Sequence, residues 1–332
     1  MVTVPSLASA EIPYDRLSPD VMMAALERIG LVPDGRMLAL NSYENRVYQM
    51  GLEDEAPVVV KFYRPGRWTT EAIEEEHAFA AELVEAEIPV VAPLVLAGAT
   101  LHRHEGYQYA VYPRRGGRWP DLDTAEDRER IGRLLGRIHR VGATRRFVHR
   151  ARFDPVRQIE AAIDTIEEGG WLPDYQIDPY AEVARAIADR VADAFEAVMP
   201  RTLRIHGDCH RGNVLWTDAG AHFVDLDDCT TGPAVQDLWM LAAGTPDERR
   251  RQWTDVLEGY EQFASFDRSE LTLVEPLRAF RMLHYAAWLA RRWQDPAFPK
   301  AFPWFGGPRY WEDHVRELME QLQVMEEPPL RL

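Results

Sequence analysis

The feature that most constrains the fold is a change of period along the chain. Up to residue 112 the apolar residues fall in short runs with turn signals between them; from residue 124 onward they recur at helical spacing. Pro113-Arg-Arg-Gly-Gly117 separates the two regimes and reads as a linker. A chain of 332 residues is also longer than a minimal single domain. The expectation is an α+β chain in three parts: residues 1–112 as an N-terminal sheet lobe, 113–117 as a hinge, and 118–332 as a mainly helical lobe. A cleft between two such lobes is the expected ligand site.

In the first part, residues 1–17 read as a partly ordered lead, and Ser18-Pro19 opens a helix that Gly30 ends. Arg36–Leu40 and Arg46–Met50 read as a hairpin across Asn41-Ser-Tyr-Glu-Asn45, with Pro57–Tyr63 as a third strand. Alternation puts Val58, Val60 and Phe62 on one face and Val59, Lys61 and Tyr63 on the other. Thr69 or Thr70 caps a helix running to Ala86. Leu94–Leu96 and Tyr107–Tyr112 are expected to complete a five-stranded antiparallel set. Beyond the linker, helices are expected over Thr124–Val141, 155–168, 178–198, Ala234–Leu241, Glu248–Phe263, Ser269–Trp293 and Tyr310–Met325. Pro296–Pro308 reads as a loop.

Charge narrows the partners. With 54 acidic against 38 basic residues the formal charge is −16, which argues against nucleic acid or an anionic membrane as main partner. The two cysteines allow one disulfide at most and point to a reducing compartment. The first ten residues lack the lysine or arginine of a signal peptide, and no apolar run approaches the roughly 18–20 residues of a membrane span. The expected location is the cytoplasm; the oligomeric state has no readable code, and a monomer is the default.

The chemistry concentrates between residues 204 and 228. Asp208 and Asn213 enclose four residues, the spacing of a kinase catalytic loop, and Asp225 follows the apolar pair Phe223-Val224. Metal-assisted phosphoryl transfer needs such a set: a carboxylate to orient the hydroxyl nucleophile, and oxygen ligands to hold Mg²⁺ on the phosphates. Asp208 is the candidate for the first role; Asn213 and Asp225 for the second. Each alone also reads as a turn or strand-end residue.

Lys61 stands on a half-buried strand face and needs a partner there. Glu76 shares the apolar stripe of Ile73, Ala80 and Leu83 on the next helix and has the same need; periodicity favours it over Glu75. Pairing them lets Lys61 reach phosphates. The turn at 41–45 occupies the place of a phosphate-covering loop but contains no glycine; Ser42 and main-chain N–H groups are its candidate contacts. Asp227 reads as an outer acceptor beside Asp225, and Asp228 as a turn residue. His206 is expected to brace the loop, Asp237 to cap a helix and anchor it, and Cys209 and His210 to fill it. A zinc cluster is not supported, for lack of a second ligand pair.

Taken together these residues resemble the aminoglycoside phosphotransferase and choline kinase superfamily, whose fold is like that of protein kinases. The strings Asn41–Gln49, Val59–Pro65, His206–His210, Val224–Asp228, Gly232–Trp239, Arg291-Arg-Trp and Asp295–Lys300 are similar to those of the bacterial stress-response kinase A family. That resemblance implies a cytoplasmic, Mg²⁺- and ATP-dependent serine/threonine protein kinase, able to phosphorylate itself, that acts in stress response and opposes programmed cell death. It implies Asp208 as proton acceptor, Asn213 and Asp225 as Mg²⁺ ligands with Asp225 also catalytic, and Ser42 at the ATP site. Lys61 with Glu76 would hold ATP phosphates, and the Tyr109–Pro113 segment the adenine. The expected partners are ATP and a protein bearing Ser or Thr. The one departure noted is Arg211, where a small residue is common; beside Asp208 it would influence acceptor choice. Rival readings are a small-molecule kinase for an amino alcohol or amino sugar, and a catalytically inactive nucleotide-binding module.

Overall fold

The structure is a computed structural model that describes residues 13–218 and 220–332; the first twelve residues of the expected lead lie outside the described residues. Helix α1 (Pro19–Glu27) starts where Ser18 Oγ accepts the Val21 N–H. Strands β1 (Pro33–Ala39), β2 (Arg46–Leu52) and β3 (Val58–Phe62) lead to helix α2 (Thr70–Glu85), and β4 (His102–His104) and β5 (Tyr107–Pro113) follow. Helices α3 (Ala125–Gly142), α4 (Pro155–Glu168) and α5 (Asp174–Val198) come next. Four short strands then appear: β6 (Thr202–Ile205), β7 (Val214–Thr217), β8 (Gly220–Phe223) and β9 (Thr230–Pro233). Helices α6 (Val235–Leu238), α7 (Pro246–Tyr260), α8 (Val274–Arg292), α9 (Ala297–Ala301) and α10 (Pro308–Glu326) complete the order. The class is α+β, a five-stranded antiparallel sheet followed by a largely helical remainder.

The sheet order is β1-β2-β3-β5-β4. Its fifth strand is His102–His104, not Leu94–Leu96 as expected. Leu94 does donate to Val111 O, but Leu96 bridges only to Ala99, so that stretch forms no strand. The true edge strand is three polar residues long and has no apolar alternation to mark it. On β3, Val58, Val60 and Phe62 face α1 and bury against Met22, Ala25 and Leu26. The intervening Lys61, opposite Ala110 and Val47 in register, therefore faces away from that core.

Three helical expectations shift. Helix α5 starts at Asp174 rather than 178, with Pro179 inside it. The helix expected over Ser269–Trp293 is divided into a 3₁₀ stretch, Arg268–Leu273, and α8 from Val274. That break places Pro276 in the first turn of α8, where its missing N–H has no intrahelical partner to lose. The loop at 296–308 contains the short α9.

The described chain forms two compact units. Pro13–Arg152 with Thr202–Phe266 is the first, and Phe153–Arg201 with Asp267–Leu332 the second. In the first, α3 and α7 approach closely: a Cβ at Gly132 would lie 1.9 Å from Val256 O, and one at Gly259 2.0 Å from Glu129 O. Only glycine permits that approach. The second unit packs α4, α5, α8 and α10 around Tyr180, Phe298, Phe305 and Trp311. Among the described residues, no helix is long and apolar enough to cross a membrane.

Candidate active site

The loop after β6 is held rigid by one buried carboxylate. Asp237 accepts the His206 N–H at 2.7 Å and the Gly207 N–H at 2.8 Å. It also takes His139 Nε2 at 3.0 Å, whose Nδ1 meets the Tyr260 hydroxyl at 2.8 Å. Gly207 has φ +87° and would place a Cβ 2.1 Å from Asp228 O, so glycine is required twice over. His206 Nε2 donates to Val224 O at 2.9 Å, joining the loop to the segment after β8. The bracing role expected of His206 and the anchoring role of Asp237 are both visible; Asp237 caps no helix, because it lies inside α6 and its carboxylate is taken by the loop.

On this frame Asp208 is 29% exposed, with His210 Nε2 at 3.4 Å from its carboxylate. His210 is more than filler: its Nδ1 accepts the Gly212 N–H at 2.9 Å and closes the turn. Asn213 Nδ2 donates to Asp208 O at 2.9 Å, which leaves the amide oxygen as the group's acceptor. Val224 N–H donates to Asn213 O at 3.0 Å and sets Asp225 beside it. Asp225 itself has φ 59° and ψ 63°, a left-handed conformation uncommon for a residue with a Cβ and often held at functional sites. Two donors of Arg211 go to main-chain oxygens, Asp121 O at 2.8 Å and Leu241 O at 3.4 Å.

Lys61 gathers three carboxylates. Its Nζ lies 3.0 Å from Asp225 Oδ1, 3.1 Å from Asp227 Oδ1 and 3.6 Å from Glu76 Oε1. The pair with Glu76 is present, and periodicity chose the right glutamate. Glu75 instead accepts the N–H groups of Val148, His149 and Arg150 at 2.6–2.9 Å. Burial works against the Lys61 charge, but Asp225, Asp227 and Glu76 outweigh it and the ammonium titrates well above the usual lysine range. Burial also dominates at Glu76 and pushes its carboxyl up to about 7 against the pull of Lys61. The two partners are therefore uneven: Lys61 does not hold Glu76 ionised as firmly as its own charge is held.

Asp227 behaves oppositely. Burial alone would raise it, yet Arg67, Lys61, Arg150 and an Asn45 hydrogen bond reverse this and hold its carboxyl well below the usual range. The strand does not continue to it; Leu226–Asp228 is a 3₁₀ turn that carries Asp227 inward, 2% exposed. Asn45, Arg67 and Arg150 were missed in the sequence, because each meets its partner across 77–182 residues and leaves no spacing to read. Cys209 and Cys229 are both free and buried, and burial pushes both thiols up, away from reactivity.

Ser42, Lys61, Glu76, Asn213 and Asp225 line one cavity of about 440 Å³, which Leu40, Val47, Val59, Tyr112, Pro113 and Leu215 continue with apolar surface. Asp208 is not part of that lining. Among the described residues no three His, Cys, Asp or Glu are grouped to hold a metal. An amide oxygen and a half-exposed carboxylate lining one cavity suit Mg²⁺ instead, which takes few protein ligands and completes its shell with water and phosphate.

A buried lysine on a cavity wall, an Asp–Asn turn and an Asp in left-handed conformation are the parts that a phosphoryl-transfer site needs. Residues 37–274 match the family model described as the phosphotransferase enzyme family, and the chain belongs to it. It stands among the bacterial stress response kinases. It is 45% identical over 319 residues to the serine/threonine protein kinase RdoA of Salmonella typhimurium, covering 96% of this chain and 97% of the relative. Identity and coverage are the same against stress response kinase A of Escherichia coli K12. Among solved structures, the amicoumacin kinase hAmiN superposes with TM-score 0.72 at 16% identity, covering 94% of this chain and 95% of that one. The protein is thus an enzyme, a kinase that transfers phosphate.

Proposed function

We propose that this kinase moves the γ-phosphoryl group of ATP, with Mg²⁺, onto serine and threonine hydroxyls of protein. The observation that carries the reading is the placement of Lys61 Nζ on the cavity wall, 3.0 Å from Asp225, with Asn213 lining the same cavity. The apolar end of the cavity, from Leu40 to Tyr112 and Pro113, suits an adenine, with residues 113–117 as hinge between residues 1–112 and 118–332. Ser42 and the N–H groups of its turn face the phosphates; Lys61 neutralises them. Bound Mg²⁺ would draw charge from the transferring phosphoryl oxygens, with Asn213 and Asp225 as its protein ligands. Asp208, rigidly mounted, accepts a hydrogen bond from the acceptor hydroxyl, aims it, and takes its proton.

The protein acceptor, and a role in stress response, rest on the names of the two 45%-identical relatives. Self-phosphorylation, protection from programmed cell death and a cytoplasmic location extend that likeness to this chain. The amicoumacin kinase structure, with AMP-PNP and Ca²⁺, supports nucleotide and divalent cation in this fold. The test is incubation with labelled ATP and Mg²⁺, alone, with candidate proteins, and with amino alcohols or amino sugars. Phosphoserine or phosphothreonine on protein is the expected product. Label confined to the small alcohol makes the chain a small-molecule kinase; no transfer to any acceptor makes it a nucleotide-binding scaffold.

A further inference from the structure

In protein-kinase-like sites the lysine on the third strand is expected to take its aim from the glutamate of the following helix. Here the geometry around Lys61 differs. Glu76 Oε1 stands at 3.6 Å, and the same carboxylate also faces Arg150 at 3.8 Å. Asp225 is closer, at 3.0 Å, but its side chain is 50% exposed. In the reaction proposed above its oxygens are engaged elsewhere and cannot also anchor a lysine. Asp227 is both close, at 3.1 Å, and 3% exposed.

Asp227 is also the most firmly held of the three. Its Oδ1 faces Lys61, while Oδ2 accepts Asn45 Nδ2 at 3.0 Å and Arg67 Nη1. Its main-chain oxygen accepts Arg150 Nη2. Arg67 Nη2 continues to Asp228 Oδ1 at 2.5 Å, and Arg67 Nε lies 3.7 Å from Glu44 Oε1. Asn45 Oδ1 in turn accepts the Arg64 N–H at 3.0 Å. Glu44 and Asn45 close the turn that carries Ser42; Asp227 and Asp228 follow Asp225 across Leu226. One guanidinium therefore spans the turn over the phosphate end of the cavity and the segment bearing the candidate metal ligand.

We propose that Asp227, itself set by Arg67 and Asn45, is the positioning residue that aims Lys61 at the nucleotide phosphates, and that Glu76 is secondary. The inference deepens the proposed function and rests on its reading of Lys61 as the phosphate-binding cation. A planar, always-charged fork holds two carboxylates in a fixed relative geometry, which a compact, freely rotating ammonium does not impose. Loss of Arg67 leaves Asp227 and Asp228 adjacent without the cation between them, and loosens the carboxylate that faces Lys61.

The experiment measures ATP binding by calorimetry, with Mg²⁺, on the full chain and on Lys61→Met, Asp227→Asn, Arg67→Ala, Arg67→Lys and Glu76→Gln. Steady-state kcat and KM for ATP are measured on each. Asp227→Asn and Arg67→Ala are expected to weaken ATP binding at least tenfold, as Lys61→Met does, and Glu76→Gln less than threefold. KM should move more than kcat in Arg67→Ala, and Arg67→Lys should recover only part of the loss. Should Asp227→Asn fail to fold, Arg67→Ala, at a side chain 16% exposed, carries the test. The proposal is overturned if Asp227→Asn and Arg67→Ala bind within threefold of wild type while Lys61→Met does not. It is equally overturned if Glu76→Gln costs more than either. If wild type binds no ATP, or Lys61→Met binds as wild type does, the proposed function itself falls and this inference with it.

Discussion

The unit of residues 13–152 and 202–266 buries Lys61, Arg64, Glu76, Arg150, Arg204, Asp227 and Asp237 at 6% exposure or less. The unit of 153–201 and 267–332 buries fewer charges among its described residues, Glu270 and Asp295, and a longer run of rings, with Phe298, Phe305 and Trp311 at 0%. In the second unit edge-to-face and tilted pairs run on from ring to ring, such as Phe305–Trp311 at 5.3 Å and Trp171–Phe305 at 4.9 Å. Apolar burial stabilises outright, whereas buried ion pairs roughly cancel their desolvation cost and collapse if one partner is lost. The contrast separates what the two regions are for. Both units have apolar cores, but the first also keeps a set of buried charges that would be costly to retain without a reaction to serve.

The comparison can be broken by substitution. Trp311→Ala removes a fully buried ring and should cost about 3–5 kcal/mol in chemical denaturation. It should leave KM for ATP unchanged; a KM that moves in proportion to the stability loss would contradict the division. Asp237→Asn keeps the volume but offers one acceptor where two main-chain N–H groups and His139 converge. An unpaired buried donor costs about 1–3 kcal/mol, and here the loss should also lower turnover because the Asp208 loop slackens. Unchanged turnover in a folded Asp237→Asn protein would remove the anchoring role.

A smaller effect sharpens the contrast through pH. His77 lies in the charged unit, between the Tyr63 hydroxyl at 2.9 Å and Thr100 Oγ1 at 2.8 Å. Burial, then the cations Lys61 and Arg150, push its pKa down to about 3. The unfolded chain binds this proton near pH 6.5 and the folded one does not, so its contribution is full above about 6.5 and is lost as pH falls toward 3. The slope from one such group is at most about 1.4 kcal/mol per pH unit. Titrating the unfolding free energy of wild type and His77→Gln should show a shallower acid loss in the variant; identical curves would mean that His77 charges in the native state.

Much of the frame was legible from local pattern. Alternation in Val58–Phe62 gave the faces of β3, and the stripe Ile73–Glu76–Ala80–Leu83 identified Glu76 as the inward carboxylate. Spacing grouped Asn213 and Asp225 on one cavity with Lys61. What stayed hidden is non-local or short. Arg67 and Asn45 reach Asp227 across 160 and 182 residues, and no period links such positions. Strand β4 is His-Arg-His, which reads as a loop until β5 is beside it. Nor does any local signal reveal that 153–201 packs in one unit with 267–332, since a core shared by distant segments has no mark in either.

In the proposed reaction Asp208 serves the acceptor while Lys61, Asn213 and Asp225 serve the nucleotide, so the two functions should separate in one protein. The direct measurement is phosphate transfer and ATP affinity on the same Asp208→Ala preparation. Turnover should fall by about 10²–10⁴-fold with ATP affinity and unfolding midpoint preserved. Transfer at the wild-type rate, or loss of transfer that is matched by an equal loss of ATP binding, would contradict it.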